Sequence, residues 1–219
     1  MFEAVIFDWD GTLADTKRVV VASFQKALKE IPYSINDEFI ERRIGIGSAE
    51  TFREILRKLN VQFDETFISS LVKRKVEAEI EMTYDVKLLE GALNLLGSLC
   101  GKVKLGLASM NNRRVIDHLL DAMDICKFFG AVLTAEDIIR SKPDPEIFLK
   151  CARKLNSKPN KCVVIEDSIF GVKAAKNAGM RCVVVLTGVY RREELDPAKP
   201  DLIVNSLKES REILDFILE

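Results

Sequence analysis

The 219-residue chain is poor in several residue types that carry chemistry. It has one histidine, His118, one tryptophan, and only two glutamines, Gln25 and Gln62. A Ser-His-Asp hydrolase or a histidine-rich zinc centre would have to be built on that single histidine. His118 also falls outside the helical stripe of Val115, Ile116, Leu119, Leu120 and Met123, which predicts a surface position. No apolar run approaches the roughly 18 residues that a membrane span needs. The first fifteen residues hold three aspartates and no basic start, unlike a secretory signal. The five cysteines (Cys100, Cys126, Cys151, Cys162 and Cys182) stand far apart without a C-x-x-C pair, so reduced thiols in a cytoplasmic protein are expected. An excess of charge is lacking too. Thirty-three basic residues face 34 acidic ones, a net charge of −1, which argues against broad binding to nucleic acid or to an anionic membrane.

What is present belongs to a globular chain: 47% hydrophobic and 31% charged residues, with length for one large domain or a core plus a smaller unit. Short continuous apolar runs occur at Ala4-Val5-Ile6-Phe7, Val103–Ala108, Cys162–Ile165 and Arg181–Leu186, with a weaker one at Leu202-Ile203-Val204. Such runs suit strands buried on both faces. Helical patterns lie between the later runs: Val115 to Met123; Ile147, Phe148, Cys151, Ala152 and Leu155; and Val172 to Ala178, with Gly179 as the stop. Alternating strands and helices predict an α/β fold, a Rossmann-like parallel sheet flanked by helices.

One stretch breaks the alternation. From about Asp15 to Tyr84 there is no strand candidate but three apolar stripes at helical spacing. They are Val20, Phe24, Ala27, Leu28 and Ile31; Phe52, Ile55, Leu56 and Leu59; and Ile68, Leu71, Val72, Val76 and Ile80. The expected organisation is a catalytic core over residues 1–14 and 86–219, with an inserted α-helical cap over 15–85. The aromatics Phe24, Phe39, Phe52, Phe63 and Phe67 are expected to pack that cap.

Four features carry chemistry. Asp8-Trp9-Asp10-Gly11-Thr12 follows the first apolar run. Two carboxylates at the carboxyl end of a strand repel unless a cation lies between them, and hard oxygen ligands suit magnesium. Glu166-Asp167 closes a second run in the same way, although Asp167 or Ser168 could simply cap the next helix. Ser109-Met110-Asn111-Asn112 ends a third run where a helix begins, a place that offers hydroxyl and N–H groups to an anion, or an ordinary N-cap. Lys142 stands before Pro143 on a stiffened loop, where its ammonium can neutralise phosphate or carboxylate, or can be merely exposed.

In the order Asp8-x-Asp10, Ser109, Lys142, Glu166-Asp167, these features resemble the haloacid dehalogenase-like superfamily. The resemblance is to its phosphatase branch with a helical cap, which includes phosphoglycolate phosphatases and β-phosphoglucomutase. It spans Asp8 to Gly171 and implies a role for each residue. Asp8 is the nucleophile that forms an aspartyl-phosphate, and Asp10 protonates the leaving oxygen and then deprotonates water. The Asp8 and Asp167 carboxylates and the Asp10 carbonyl hold Mg²⁺, with Glu166 supporting or sharing the site. Ser109, with Thr12 and Asn111, binds the phosphate, and Lys142 offsets its charge. The cap closes over a small phosphorylated metabolite.

Asp10 separates this branch from the dehalogenases, which lack that acid. Two positions depart from β-phosphoglucomutase: Val20 stands where that enzyme has a histidine, and Ile44 where a lysine is expected. Both favour a hydrolase. Lys17, Arg18, Arg42, Arg43, Arg113 and Arg114 are candidates for holding a second anionic group of the substrate, such as a carboxylate. The expectation is therefore a cytoplasmic, Mg²⁺-dependent phosphatase of small monoesters, sugar phosphates or phosphoglycolate-like, a monomer or weak homodimer with no nucleic-acid or membrane partner. The alternatives are a phosphosugar mutase and a catalytically idle binding protein on the same fold.

Overall fold

Four apolar residues in a row, Ala4–Phe7, form β1, and all four are buried because helices cover both faces of the sheet. The computed structural model describes residues 1–29 and 34–219. After β1 come β2 (Ala14–Asp15), α1 (Lys17–Leu28), α2 (Asp37–Glu41), α3 (Ser48–Lys58), α4 (Glu65–Glu81) and β3 (Lys87–Leu88). There follow α5 (Ala92–Leu99), β4 (Lys104–Ala108), α6 (Arg113–Ala122), β5 (Ala131–Leu133), α7 (Glu146–Lys154) and β6 (Cys162–Glu166). The chain ends with α8 (Ile169–Asn177), β7 (Arg181–Val185), α9 (Arg192–Leu195), β8 (Leu202–Val204) and α10 (Ser210–Leu218).

The main sheet has the order β5-β4-β1-β6-β7-β8 and every pair in it is parallel. The chain builds outward from β1 on one side through β4 and β5, then on the other through β6, β7 and β8. The carboxyl ends of β1, β4 and β6 thus surround the point where the winding reverses, the place where open α/β sheets bind ligands. Side chains alternate as the pleat requires. Val5, Phe7, Leu105, Leu107, Val163 and Ile165 pack with residues of α5, α6 and α10. Ala4, Ile6, Val164 and Cys182 face α7 and α8.

The helices between β2 and β3 have an apolar cluster of their own, including Val20, Phe24, Ile40, Phe52, Ile55, Leu56, Ile68 and Leu71. The Phe24 and Phe52 rings lie 4.7 Å apart, and Phe39, Phe63 and Phe67 pack against the same cluster. Ile31, expected in the first stripe, lies outside the described residues. Two elements differ from the sequence reading. The ladder of β2 with β3 is two residues long, and the edge strand β5 has three; neither is long enough to show a period. His118 is exposed on α6. Among the described residues, no helix is long and apolar enough to cross a membrane.

Candidate active site

The loop after β1 is wound tightly around one carbonyl. The Trp9 oxygen accepts from the N–H groups of Thr12, Leu13 and Ala14 at 3.3, 3.0 and 3.1 Å. This turn aims Asp8 and Asp10 off the end of the strand. Gly11 stands at φ +77°, and a Cβ there would collide with the Asp167 carboxylate. Gly188, beyond β7, closes on the same carboxylate from another side. Asp167 is therefore seated between two glycines, and no described hydrogen-bond donor reaches its oxygens.

Lys142 binds the site together from below. Its ammonium donates to Asp8 Oδ1 at 2.7 Å, to Glu166 Oε1 at 2.6 Å and to the Ala108 carbonyl at 3.3 Å. The other oxygen of Glu166 accepts from the N–H groups of Asp167 and Ser168 and from Ser168 Oγ, at 3.0 to 3.1 Å. Both oxygens of Glu166 are thus occupied. The residue can lie so close to α8 only because position 171 is glycine, where any Cβ would overlap the carboxyl group. Ser168 caps α8 through the Gly171 N–H.

Three buried carboxylates share this corner with one ammonium. One ligand oxygen from each of Asp8, Glu166 and Asp167 can be chosen so that all lie within 4.8 Å of one another. Burial, then Glu166, pushes the Asp8 carboxyl well up, against the pull of Lys142. Burial, then Glu166 and Asp8, does the same to Asp167. Burial alone lowers the Lys142 value, but Asp8 and Glu166 more than reverse it, so the ammonium stays charged. An all-oxygen, electron-rich cluster, in which the Asp167 oxygens have no described donor, fits a hard divalent cation. Asp10 stands beside it, raised to about 6 by burial and by Glu79, against a 2.7 Å hydrogen bond from Thr16.

Ser109 and Asn111 leave the end of β4. The Ser109 hydroxyl accepts from the Asn111 N–H at 3.0 Å. The Asn111 side chain turns toward the helical insertion, accepting from Lys75 at 3.2 Å and donating to Glu79 at 2.8 Å. Lys75 and Glu79 are paired one turn apart on α4, and are 1% and 2% exposed. The Thr12 hydroxyl is buried and without a described partner.

The structure thus gathers Asp8, Asp10, Ser109, Lys142, Glu166 and Asp167 at one end of the sheet. Of the basic residues expected to hold a second anion, Arg43 and Lys17 line cavities that reach Asp10, and Arg42, Arg43 and Arg113 are committed to carboxylates. Arg42 pairs with Glu194 and Arg43 with Glu54, both at 2.5 Å, and Arg113 is taken by Asp137 and Asp117. Lys17 lines a cavity of about 220 Å³ that reaches Asp10 and Asp167 from the side, whereas Arg18 faces a separate surface depression.

Sequence reasoning missed Thr16, Gly188, Lys75 and Glu79. The last two left a signal: they occupy positions in the α4 stripe where the 3.6-residue period calls for apolar side chains. Between Lys75 and Asp10 lies a compartment also lined by Val20, Phe24, Ile44 and Met110. Its free volume is about 20 Å³, room for about one water.

Residues 5–185 match the family model of haloacid dehalogenase-like hydrolases. A phosphorylated carbohydrates phosphatase of Thermotoga maritima is 30% identical over 94% of this chain and 99% of that protein. A β-phosphoglucomutase of Bacillus subtilis is 31% identical over 85% of this chain and 84% of that protein. A crystal structure of a hydrolase from Pseudomonas syringae superimposes with a TM-score of 0.91 at 26% identity, covering 99% of both chains.

Proposed function

The chain belongs to the haloacid dehalogenase-like hydrolase family, and on that footing we propose that it is a Mg²⁺-dependent phosphatase of small phosphate monoesters. The observation that carries this reading is the corner itself. Asp8 is buried, held by Lys142 at 2.7 Å and flanked by Asp167, with a second acid two residues along the chain.

In this reading Asp8 attacks phosphorus, the P–O bond to the alcohol breaks, and an aspartyl-phosphate forms. Asp10 gives its proton to the departing oxygen. A carboxyl at about 6 still carries a proton in part of the molecules near neutral pH. Asp10 then takes a proton from the water that cleaves the aspartyl-phosphate, which releases phosphate and restores both acids. Lys142 and the Ser109 hydroxyl face the charge on the phosphoryl oxygens, and Glu166 holds Lys142 in place. Asp8, Asp167 and the Asp10 carbonyl would hold Mg²⁺, which when bound offsets charge and orients the phosphoryl group. Residues 15–85 act as the cap. The compartment of about 20 Å³ between cap and core is too small for more than a water, so in this reading the cap opens to seat substrate there.

The β-phosphoglucomutase relative raises a mutase as the competing reading. A mutase must hold a second phosphate while the sugar turns over, and Val20 and Ile44 give the compartment apolar walls instead. The test is phosphate release from a panel of monoesters with Mg²⁺ and with EDTA, for wild type and Asp8→Asn. Metal-dependent release that falls by about 10⁴-fold or more in Asp8→Asn is expected. Absence of release, with interconversion of sugar phosphates, would favour the mutase.

A further inference from the structure

Two spaces of very unequal size reach Asp10. The compartment toward the inserted helices has about 20 Å³ free, and its described lining includes neither Asp8 nor Asp167. The cavity at the side has about 220 Å³ and borders both Asp10 and Asp167. It lies where the β2–β3 ladder links the insertion to the sheet. Asp15, Thr16 and Lys17 wall it from the chain at β2, Leu89 from the chain leaving β3, and Val189 from beyond β7.

Magnesium in water carries an octahedral shell of waters and sheds it reluctantly. A space of about 20 Å³ holds about one water, so the side toward the insertion admits no hydrated ion as it stands. The larger cavity has room for several waters. Its inner end opens onto Asp167. Gly11 and Gly188 face that carboxylate without side chains, and a Cβ on either would collide with it. Hydrogen bonds hold the walls. Thr187 Oγ1 donates to the Gly11 carbonyl at 2.6 Å and Thr16 Oγ1 to Asp10 Oδ1 at 2.7 Å. The passage is therefore already formed, with the inserted helices in place.

Its charge suits a cation. Asp10, Asp15 and Asp167 line it against a single ammonium, Lys17. A cleft with an excess of one sign of charge concentrates ions of the other. Lys17 is exposed and also borders a separate surface depression, which sets it at the outer end. Among the described residues it pairs with no carboxylate, so its charge is felt in full by an arriving cation.

We propose that the divalent cation of the active site enters and leaves through this side cavity while the inserted helices stay in place, and that Lys17 at the mouth retards its passage. This rests on the Mg²⁺-dependent reading above. It separates the metal's route from that of the substrate, which needs the cap to open.

Metal entry is timed by stopped flow without substrate, with Mn²⁺ standing in for Mg²⁺ at the oxygen ligands. The readout is quenching of Trp9, the one tryptophan of the chain, which stands between Asp8 and Asp10. Release into a chromogenic chelator gives the exit rate without relying on Trp9. Val189→Phe and Leu89→Phe, at half-buried positions, narrow the cavity from two walls. Each should slow entry and release together by about tenfold and leave the dissociation constant within about twofold, because a route changes rates and not end states. Lys17→Gln should speed entry by about threefold at low salt and lose that gain in 1 M salt, where the screening length is about 3 Å. Wild-type rates in both narrowed variants overturn the proposal and leave the phosphatase reading standing. So does a weaker dissociation constant with unchanged entry, the mark of a damaged site. A Lys17→Gln rate equal to wild type overturns the role given to Lys17. No binding of Mn²⁺ to wild type, by calorimetry as well as by quenching, overturns both the route and the metal-dependent reading.

Discussion

At the carboxyl end of the sheet, Asp8, Glu166 and Asp167 outnumber the single ammonium of Lys142. In the helical insertion across the compartment, Lys75 meets Glu79 and Arg43 meets Glu54, one for one. Both regions bury charge, but only the first buries an imbalance. An unbalanced cluster raises its own carboxyl pKa values and draws in a cation to relieve them. A balanced cluster exerts little net pull and instead presents hydrogen-bonding groups in a set geometry. The two walls around Asp10 therefore differ in electrostatic character.

The largest expected effect comes from disturbing the unbalanced side through its support. Gly171→Ala puts a Cβ into the space of the Glu166 carboxyl group. Glu166 must then move, and Lys142 loses one of its two carboxylate partners. We expect kcat to fall by about 10² to 10³-fold and unfolding free energy to fall by about 3 kcal/mol. Activity assays and denaturant unfolding measure the two. Near wild-type values in both would mean that Glu166 is not what positions Lys142. A glycine-to-alanine change at Gly97, which has open space for a Cβ, is the control and should change neither by much.

A pH dependence in EDTA is expected next, at Asp10, which lies between the two clusters. The Asp10 carboxyl is raised from 3.8 to about 6, chiefly by burial and then by Glu79. Between those values the folded protein holds the proton more tightly than the unfolded chain does. The contribution of Asp10 to stability is therefore least unfavourable below about pH 4 and worsens as pH rises through 6. The full swing is at most on the order of 3 kcal/mol, from about two pH units. Thermal unfolding of metal-free wild type should accordingly lose ground to Asp10→Asn between pH 4 and 7. A constant gap between the two curves would mean that Asp10 is not proton-hungry in the fold. Mg²⁺ should recover stability at pH 7 in wild type through mass action.

The comparison also separates what the sequence makes legible from what it hides. The unbalanced side is legible because each of its acids terminates an apolar run, at Phe7 and at Ile165, and burial of both runs brings those ends into register. The inserted helices are legible because β-type runs stop between Asp15 and Tyr84. The balanced side is hidden for a physical reason. Lys75 and Glu79 interrupt the stripe of Ile68, Leu71, Val72, Val76 and Ile80, and a reader looking for apolar periodicity passes over them. Gly188 is hidden differently: its importance lies in touching Asp167, a contact made only when β6 and β7 pair. Edge strand β5 is too short to show a pattern at all.

The smallest effect is expected at the seam joining the two regions. The Arg42 guanidinium pairs with Glu194 at 2.5 Å and lies 4.9 Å from the Tyr190 ring centroid. The Tyr190 hydroxyl donates to the Arg42 carbonyl at 2.6 Å. The ion pair is about a third exposed on each partner, so solvent screens it. Arg42→Ala should cost less than about 1 kcal/mol, the range for exposed pairs. That is a Tm change of about 2–4 °C at most in a chain this size. Tyr190→Phe removes instead the more buried hydrogen bond, and leaves a carbonyl of the insertion loop without that donor. It should cost about 1–2 kcal/mol. If Arg42→Ala proves the more damaging of the two, the seam is held by charge, and the balanced pairs of the insertion would then have to be regarded as structural clamps.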